Sequence, residues 1–490
     1  MPFPLGPLRK ATAKPAAHVD PQAKPHLNDD GHIDFHIGDG EHPHNWSNTR
    51  RWYITIVTVI MAMNGNVSST ILTGSTGSIS EEFRVSEVAA GLPTTMYLLG
   101  FCAGPLIFSP LTEFYGRRRI LCSTFIVYWA FTFLTAWPPN FGALLVGRFL
   151  AGTFIAAPLA AAPGVLLDLF DDVDRGNPMA LYCGASWVAP AIGPVISGFV
   201  ELKKDWHWGI YACLWLGAFS IPLVLTIPET HSPTLLTQKA VLARGNGHDV
   251  QSAVEASRPK LLQIYKVALT RPWILLFDPI SFLLFIYLFV VFTLQFMLFT
   301  IYPIVFRDMR GWNVGVAQLP LTGLAVGAVI GALIIFADTE RRRRKARSGK
   351  ELLPEDRMIL AMIGGVGFPV FMFWLCWSAQ YNSVHWIVPT TGGAFLATSL
   401  MLIFVAALNY IIDAYAEYAC SVLAANALGR SAGSAAAPLF TTQMFTALGV
   451  GGGGSLIGGV ATLLAFIPFV FYRYGPTIRR KSKYAAAEPE

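Results

Sequence analysis

Long apolar runs recur along this chain, and each is close to the length that carries an α-helix across a bilayer. About 20 apolar residues suffice for one crossing. Twelve such runs are read, near 52–73, 88–111, 119–137, 142–167, 176–200 and 208–228, then near 273–303, 317–337, 357–378, 386–411, 418–447 and 453–472. Charged residues make up only 13% of the 490 residues and hydrophobic ones 53%. A soluble domain carries roughly 25% charged residues, so no set of soluble cores would hide this much apolar surface. The sequence therefore predicts an all-α membrane protein. Gly and Pro inside the runs are compatible with spanning helices.

A polar stretch, 229–271, divides the runs six and six. The expected organisation is a tail over 1–50, a six-helix half over 51–228, a central loop over 229–271, a second six-helix half over 272–473 and a short tail over 474–490. The first tail is rich in Pro, His, Asp and Lys and has no apolar core, which excludes a cleavable signal and predicts disorder. Its histidines (His18, His26, His32, His36, His42, His44) show no recurring ligand spacing, so no metal is expected. Six scattered cysteines, all inside apolar runs, read as packing residues.

The chain has 36 Lys and Arg. With a cytoplasmic N-terminus, only Arg84, Lys203, Lys204, Arg307 and Arg310 fall outside, and Arg148 and Arg430 fall within spans, which leaves 29 on the cytoplasmic side. This is a strong positive-inside bias. Twelve crossings put both termini in the cytoplasm. The run from Arg341 to Lys350 reads as a topology anchor, with contact to anionic headgroups as its other use.

After the second run the chain reads Ser109-Pro110-Leu111-Thr112-Glu113-Phe114-Tyr115-Gly116-Arg117-Arg118-Arg119. An acid, a glycine turn and a basic cluster sit where two helices meet the cytoplasm. Glu113 can accept charge-assisted bonds from a helix N-terminus or a neighbouring arginine, and such a latch would hold one face closed. Asp168, with Asp171, Asp172 and Asp174 beside Arg175, serves the same latch or lies in a solvated loop.

This loop is similar to the signature of the major facilitator superfamily. Four further segments resemble its fungal twelve-span drug:proton antiporter branch: Asn45-Trp46-Ser47, Leu145 to Gly152 around Arg148, Ala189-Pro190-Ala191-Ile192-Gly193-Pro194 through Gly198, and Pro228-Glu229-Thr230-His231-Ser232-Pro233. The late segments Tyr410 to Tyr415 and Ala424 to Ser431 fit it as well. The departures are Ser109 in place of a glycine, Phe292 and Phe296 in place of an aromatic pair with hydroxyls, and Gly451 to Gly454 where a Trp is usual. The resemblance implies two six-helix halves rocking about a midplane site.

Arg148 lies about two turns into the fourth run. A cation in the bilayer interior faces the bundle or a wet cavity. The resemblance implies a part in proton coupling with Glu113, Arg117, Arg118 and Asp168; a hydrogen-bond hub to backbone carbonyls is the plainer use. Pro190, Gly193, Pro194 and Gly198 would form the antiporter motif, a bent helix at the seam between the halves. Arg430 is the second intramembrane cation. No acid lies at mid-depth in any run, so the path carries net positive charge and favours an anion; the alternative is a pair with Asp413 or Glu417. Other candidates for the cavity are Asn64, Asn66, Tyr182, Trp187, Tyr287, Gln295 and Asn409.

No GxxxxGK[ST] loop, HExxH or CxxC pattern occurs, so neither ATP-driven pumping nor a cofactor is expected. The expected function is proton-coupled export of a small organic molecule or secondary metabolite across the plasma membrane, by a monomer that binds no nucleic acid and is not an enzyme. Export of a small organic acid is the alternative. A non-transporting sensor on the same fold is the rival from another class.

Overall fold

The computed structural model describes residues 26–28, 31–36, 38–171, 174–246, 248, 250–257, 261–349, 353–415, 418–482 and 484. The first half contains α1 (Asn48–Thr70), α2 (Leu92–Tyr115), α3 (Arg117–Ala136), α4 (Phe141–Leu169), α5 (Gly176–Glu201) and α6 (His207–Leu225). The second contains α7 (Pro279–Pro303), α8 (Thr322–Arg347), α9 (Met358–Gln380), α10 (Ile387–Ala414), α11 (419–448) and α12 (450–464), the last prolonged by Phe466–Lys481.

By length and apolar content alone, ten stretches among the described residues qualify as spans. The count reaches twelve because 421–480 holds two crossings and α1 is too polar to register. Helix α1 turns its polar side chains inward: Asn64, Ser68, Ser69 and Thr70 are all buried. The α11–α12 break falls at Gly449, whose φ of 70° and ψ of 168° suit glycine. The next turn is held by Gln380, whose Oε1 accepts the Gly451 N–H at 2.8 Å.

Side-chain caps set the starts of α1 and α4. Ser47 Oγ accepts the Arg50 N–H, and Asn140 Oδ1 accepts the Ala143 N–H, as N-caps do. Small residues bring helices together within each half. A Cβ on Gly100 would sit 2.7 Å from the Gly152 carbonyl carbon, so α2 and α4 touch backbone to backbone. Gly323, Gly327 and Gly331 line the α8 face that packs on Thr390, Ala394 and Met401 of α10.

The halves meet where α2 runs along α11 and α5 along α8. On the face that carries the basic loops, hereafter the basic face, Asp174 lies 3.7 Å from Arg343, and Tyr265 donates to the Ile107 carbonyl at 2.7 Å. On the opposite face, Gly198 packs against Val314 and Gln318, and Thr95 donates to the Ala435 carbonyl at 3.0 Å.

Two segments differ from the sequence expectation. The central stretch 229–271 holds helices Ser232–Gly245, Ala253–Ser257 and Leu261–Leu276. Part of the tail expected to be disordered is packed on the first of these: Ile33 joins Ala240 and Val250, and Lys239 pairs with Asp39 at 2.6 Å and Glu41 at 2.9 Å. Composition averages over the tail and so hides these few specific contacts.

Candidate functional site

At the centre of the seam three aromatic rings converge. Trp187 of α5 lies 5.7 Å from Phe292 of α7 and 5.9 Å from Phe404 of α10, centroid to centroid, and the two phenylalanines are 5.0 Å apart. Arg430 of α11 places its guanidinium carbon 5.2 Å from the Phe292 ring and 5.3 Å from the Phe404 ring. Tyr182 and Cys183 of α5 are its other electrostatic neighbours. Arg430 has no side-chain hydrogen bond or ion pair among the described residues. Asp413 is engaged elsewhere: Arg357 donates to it at 2.9 Å and Arg342 lies 3.8 Å away. The suggested Arg430–Asp413 pair is therefore absent, for the geometric reason that α10 ends on the basic face. Glu417 lies outside the described residues.

The remaining cavity candidates divide. Trp187 is in the cluster, and Tyr182 borders it while donating to the Leu159 carbonyl. Gln295, one turn from Phe292, is buried with its Oε1 unpaired. Asn64 does not join them: its amide donates to Ser220 of α6 at 2.9 Å, inside the first half. Tyr287 turns toward Gly365 of α9 and lies within the second half. Asn409 donates to the Val405 carbonyl of its own helix.

Arg148 is almost fully buried. Its Nη2 donates to the Ser68 carbonyl at 2.7 Å, its Nε to the Pro93 carbonyl at 3.3 Å, and its guanidinium stacks 4.2 Å from the Tyr97 ring. It ties α4 to α1 and α2. No carboxylate pairs with it among the described residues.

On the basic face the acid at the α3 N-terminus is not Glu113. Glu113 is exposed and makes no hydrogen bond or ion pair among the described residues; as the antepenultimate residue of α2 it sits on the wrong side of the turn. Glu229, from the segment after α6, takes the position instead. Its carboxylate accepts the backbone N–H groups of Arg117 at 3.0 Å and Arg118 at 3.2 Å. Gly116, at φ 89°, makes the turn, and a Cβ there would run into Glu229. Arg117 pairs through Nε with Asp168 at the end of α4. Among the described residues the Arg118 guanidinium donates only to the Leu225 carbonyl, at 3.4 Å.

Comparison with known proteins places this geometry. Residues 54–438 match the family model described as Major Facilitator Superfamily. The chain belongs to that family. It is 37% identical over 461 residues to "Efflux pump FUB11" of Gibberella moniliformis, covering 93% of this chain and 77% of the relative. It is 37% identical over 457 residues to "Major facilitator superfamily multidrug transporter mdrA" of Aspergillus fumigatus, covering 91% and 75%. Among solved structures it superposes on the proton:xylose symporter XylE with a TM-score of 0.60 at 16% identity, covering 88% of this chain and 96% of that one. That last likeness concerns the fold.

In this facilitator, α5 serves two contacts. Thr70 of α1 donates to the Pro190 carbonyl at 2.8 Å, and a Cβ on Gly193 would sit 2.8 Å from the Val67 carbonyl oxygen. Pro190 and Gly193 thus pack inside the first half. Gly198 and Gly184 face the second half, Gly184 toward Ala332. Pro194 is buried, and its carbonyl accepts from Ser197 at 3.1 Å. Phe404 was not legible as a site residue, because nothing in its uniformly apolar run sets it apart. Glu229 lay in a recognised segment, but only the fold shows which helix it caps.

Proposed function

We propose that this facilitator is a proton-driven exporter of small organic molecules, working by alternating access across the plasma membrane with both termini in the cytoplasm. The observation that carries the reading is the seam cluster. Trp187, from the first half, and Phe292, Phe404 and Arg430, from the second, form one apolar site with one cation that has no acidic partner among the described residues. A ligand held there contacts both rocking halves, which is what a facilitator site requires. The efflux names of the fungal relatives favour export and drug-like or secondary-metabolite cargo.

Proton coupling in this reading uses the basic face. Asp168 holds Arg117, and protonating its carboxylate would release the arginine and loosen the α2–α3 turn. Arg118 and Glu113 supply charge around that switch, and Arg148 sets the geometry of α4 above it. The monomer is the working unit and no chemical conversion occurs.

A second reading, export of an organic acid, is favoured by one specific fact. Arg430 has no acidic partner among the described residues, and a carboxylate on the cargo would complete it. The test is efflux from cells with and without the gene, using a neutral aromatic compound and an aromatic carboxylate as paired cargoes. Proton-gradient-dependent efflux of either cargo supports the transporter reading. Efflux of neither, at confirmed surface expression, overturns it in favour of a sensor. Preference for the carboxylate, lost in Arg430→Ala, selects the acid reading.

A further inference from the structure

A cavity of about 540 Å³ opens on the basic face of the first half, away from the transport seam. Three guanidinium groups line it. Arg50 comes from the start of α1, and Arg118 and Arg119 from the first turn of α3. Trp46 and Leu225 form apolar walls, and the helix Ser232–Gly245 closes one side. Segments around 46, 118 and 229, far apart in sequence, converge here.

The charges in this cavity are not spent. The Arg50 guanidinium carbon lies 3.8 Å from the Trp46 ring and has no carboxylate partner among the described residues. Arg119 makes no side-chain hydrogen bond or ion pair among them. Arg118 reaches only the Leu225 carbonyl. Glu229 is the one acid in the lining, but its carboxylate already accepts four backbone N–H groups, those of Arg117, Arg118, Thr230 and His231. The basic run of the second half behaves differently: Arg341, Arg342, Arg343, Arg344 and Lys345 each have an acidic partner within 4 Å. Topology alone asks for positive charge on this face, but it does not ask for three arginines around one hollow with no acidic side-chain partner among the described residues.

We propose that this cavity binds the phosphate headgroup of an anionic phospholipid. Guanidinium forks match phosphate oxygens in a bidentate way. A lipid suits the site better than a free phosphate because the wall is apolar and continues toward the bilayer. Leu225 at the end of α6 is 48% exposed, and Ile126 of α3 and Phe219 of α6 follow on the outer surface at 41% and 67%. Acyl chains would lie along that surface. A bound headgroup ties α1 to α3 and to the segment after α6, the last two of which Glu229 already joins.

The test uses the full chain, purified in detergent, with its Tm followed against dioctanoyl phosphatidic acid, dioctanoyl phosphatidylcholine and inorganic phosphate. The expected result is a saturable rise with the phosphatidic acid alone. Arg50→Gln with Arg119→Gln should raise the half-saturating concentration roughly tenfold or more. Arg344→Gln with Arg347→Gln removes equal charge from the second half and should leave it unchanged. Equal weakening by both pairs shows general electrostatics and overturns the site. An equal rise with inorganic phosphate assigns the cavity to a free anion and overturns the lipid. If the first pair does not fold, Arg119→Gln alone decides, and an unchanged half-saturation overturns the proposal.

Discussion

The guanidinium carbon of Arg430 lies 5.2 Å from the centre of the Phe292 ring, and no carboxylate completes the pair among the described residues. Ring faces attract a desolvated cation by ~2 kcal/mol. Removing an ion from water costs several kcal/mol even after the protein relaxes. The rings alone therefore leave Arg430 undercompensated, and a cargo that brings negative charge gains what the protein withholds.

Arg430→Lys keeps the charge but loses the planar fork and its stacking. On the acid reading, export of an aromatic carboxylate should fall about tenfold in Arg430→Lys and further in Arg430→Gln, by roughly one charge-assisted hydrogen bond. Export of a neutral aromatic should change little. Initial efflux rates at matched surface expression check this; equal losses for both cargoes would make Arg430 structural.

Arg117 and Asp168 should behave as one unit. Their side chains are 14% and 16% exposed, so the full penalty for breaking a buried pair is softened by water. Arg117→Gln and Asp168→Asn are each expected to cost about 2 kcal/mol, and the double variant little more than either. A double-mutant cycle on unfolding in detergent measures the coupling; simple additivity would show that the two charges act independently.

The spans were legible because a bilayer admits few solutions for so apolar a chain. Arg148 and Arg430 were legible as cations out of place, since charge in an apolar run is costly wherever it faces. What each touches was not legible. Arg148 meets the Ser68 and Pro93 carbonyls from two other helices, and no local pattern encodes a contact between residues so far apart. The same holds for Asn64. Its polarity marked it for a cavity, yet its partner Ser220 lies 156 residues away in the same half. Glu113 stands beside the turn in sequence and so reads as its acid, whereas the chain's return after α6 brings Glu229 to the α3 N-terminus.

Gly198 marks the closed seam on the opposite face. A Cβ there would lie 2.7 Å from Gln318 Cγ and 2.9 Å from the Val314 carbonyl oxygen. Gly198→Val should disfavour closure of that face and slow transport without unfolding the halves. Labelling of an introduced cysteine, Gln318→Cys, by a membrane-impermeant thiol reagent from that side should speed up. Gly77→Val is the control, because a Cβ there meets nothing within 4 Å. Unchanged labelling in the Gly198 variant would mean that the seam adapts around the side chain.

His231 couples the basic face to pH. Burial, with the nearby Arg117 adding repulsion, pulls its pKa from the ordinary 6.5 down to about 4. The ring stays neutral with Nδ1 2.9 Å from the Thr234 hydroxyl. The unfolded chain takes up this proton near pH 6.5 and the folded chain only near 4, so between those values the unfolded state binds more protons. Stability must then fall as pH drops through that window and level off below it. His231→Gln cannot titrate and should remove this part of the loss. The expected outcome is a smaller fall in Tm between pH 7 and pH 5 for the variant than for the parent chain. Equal falls would place the acid sensitivity elsewhere and leave His231 as a packing residue beside the Glu229 cap.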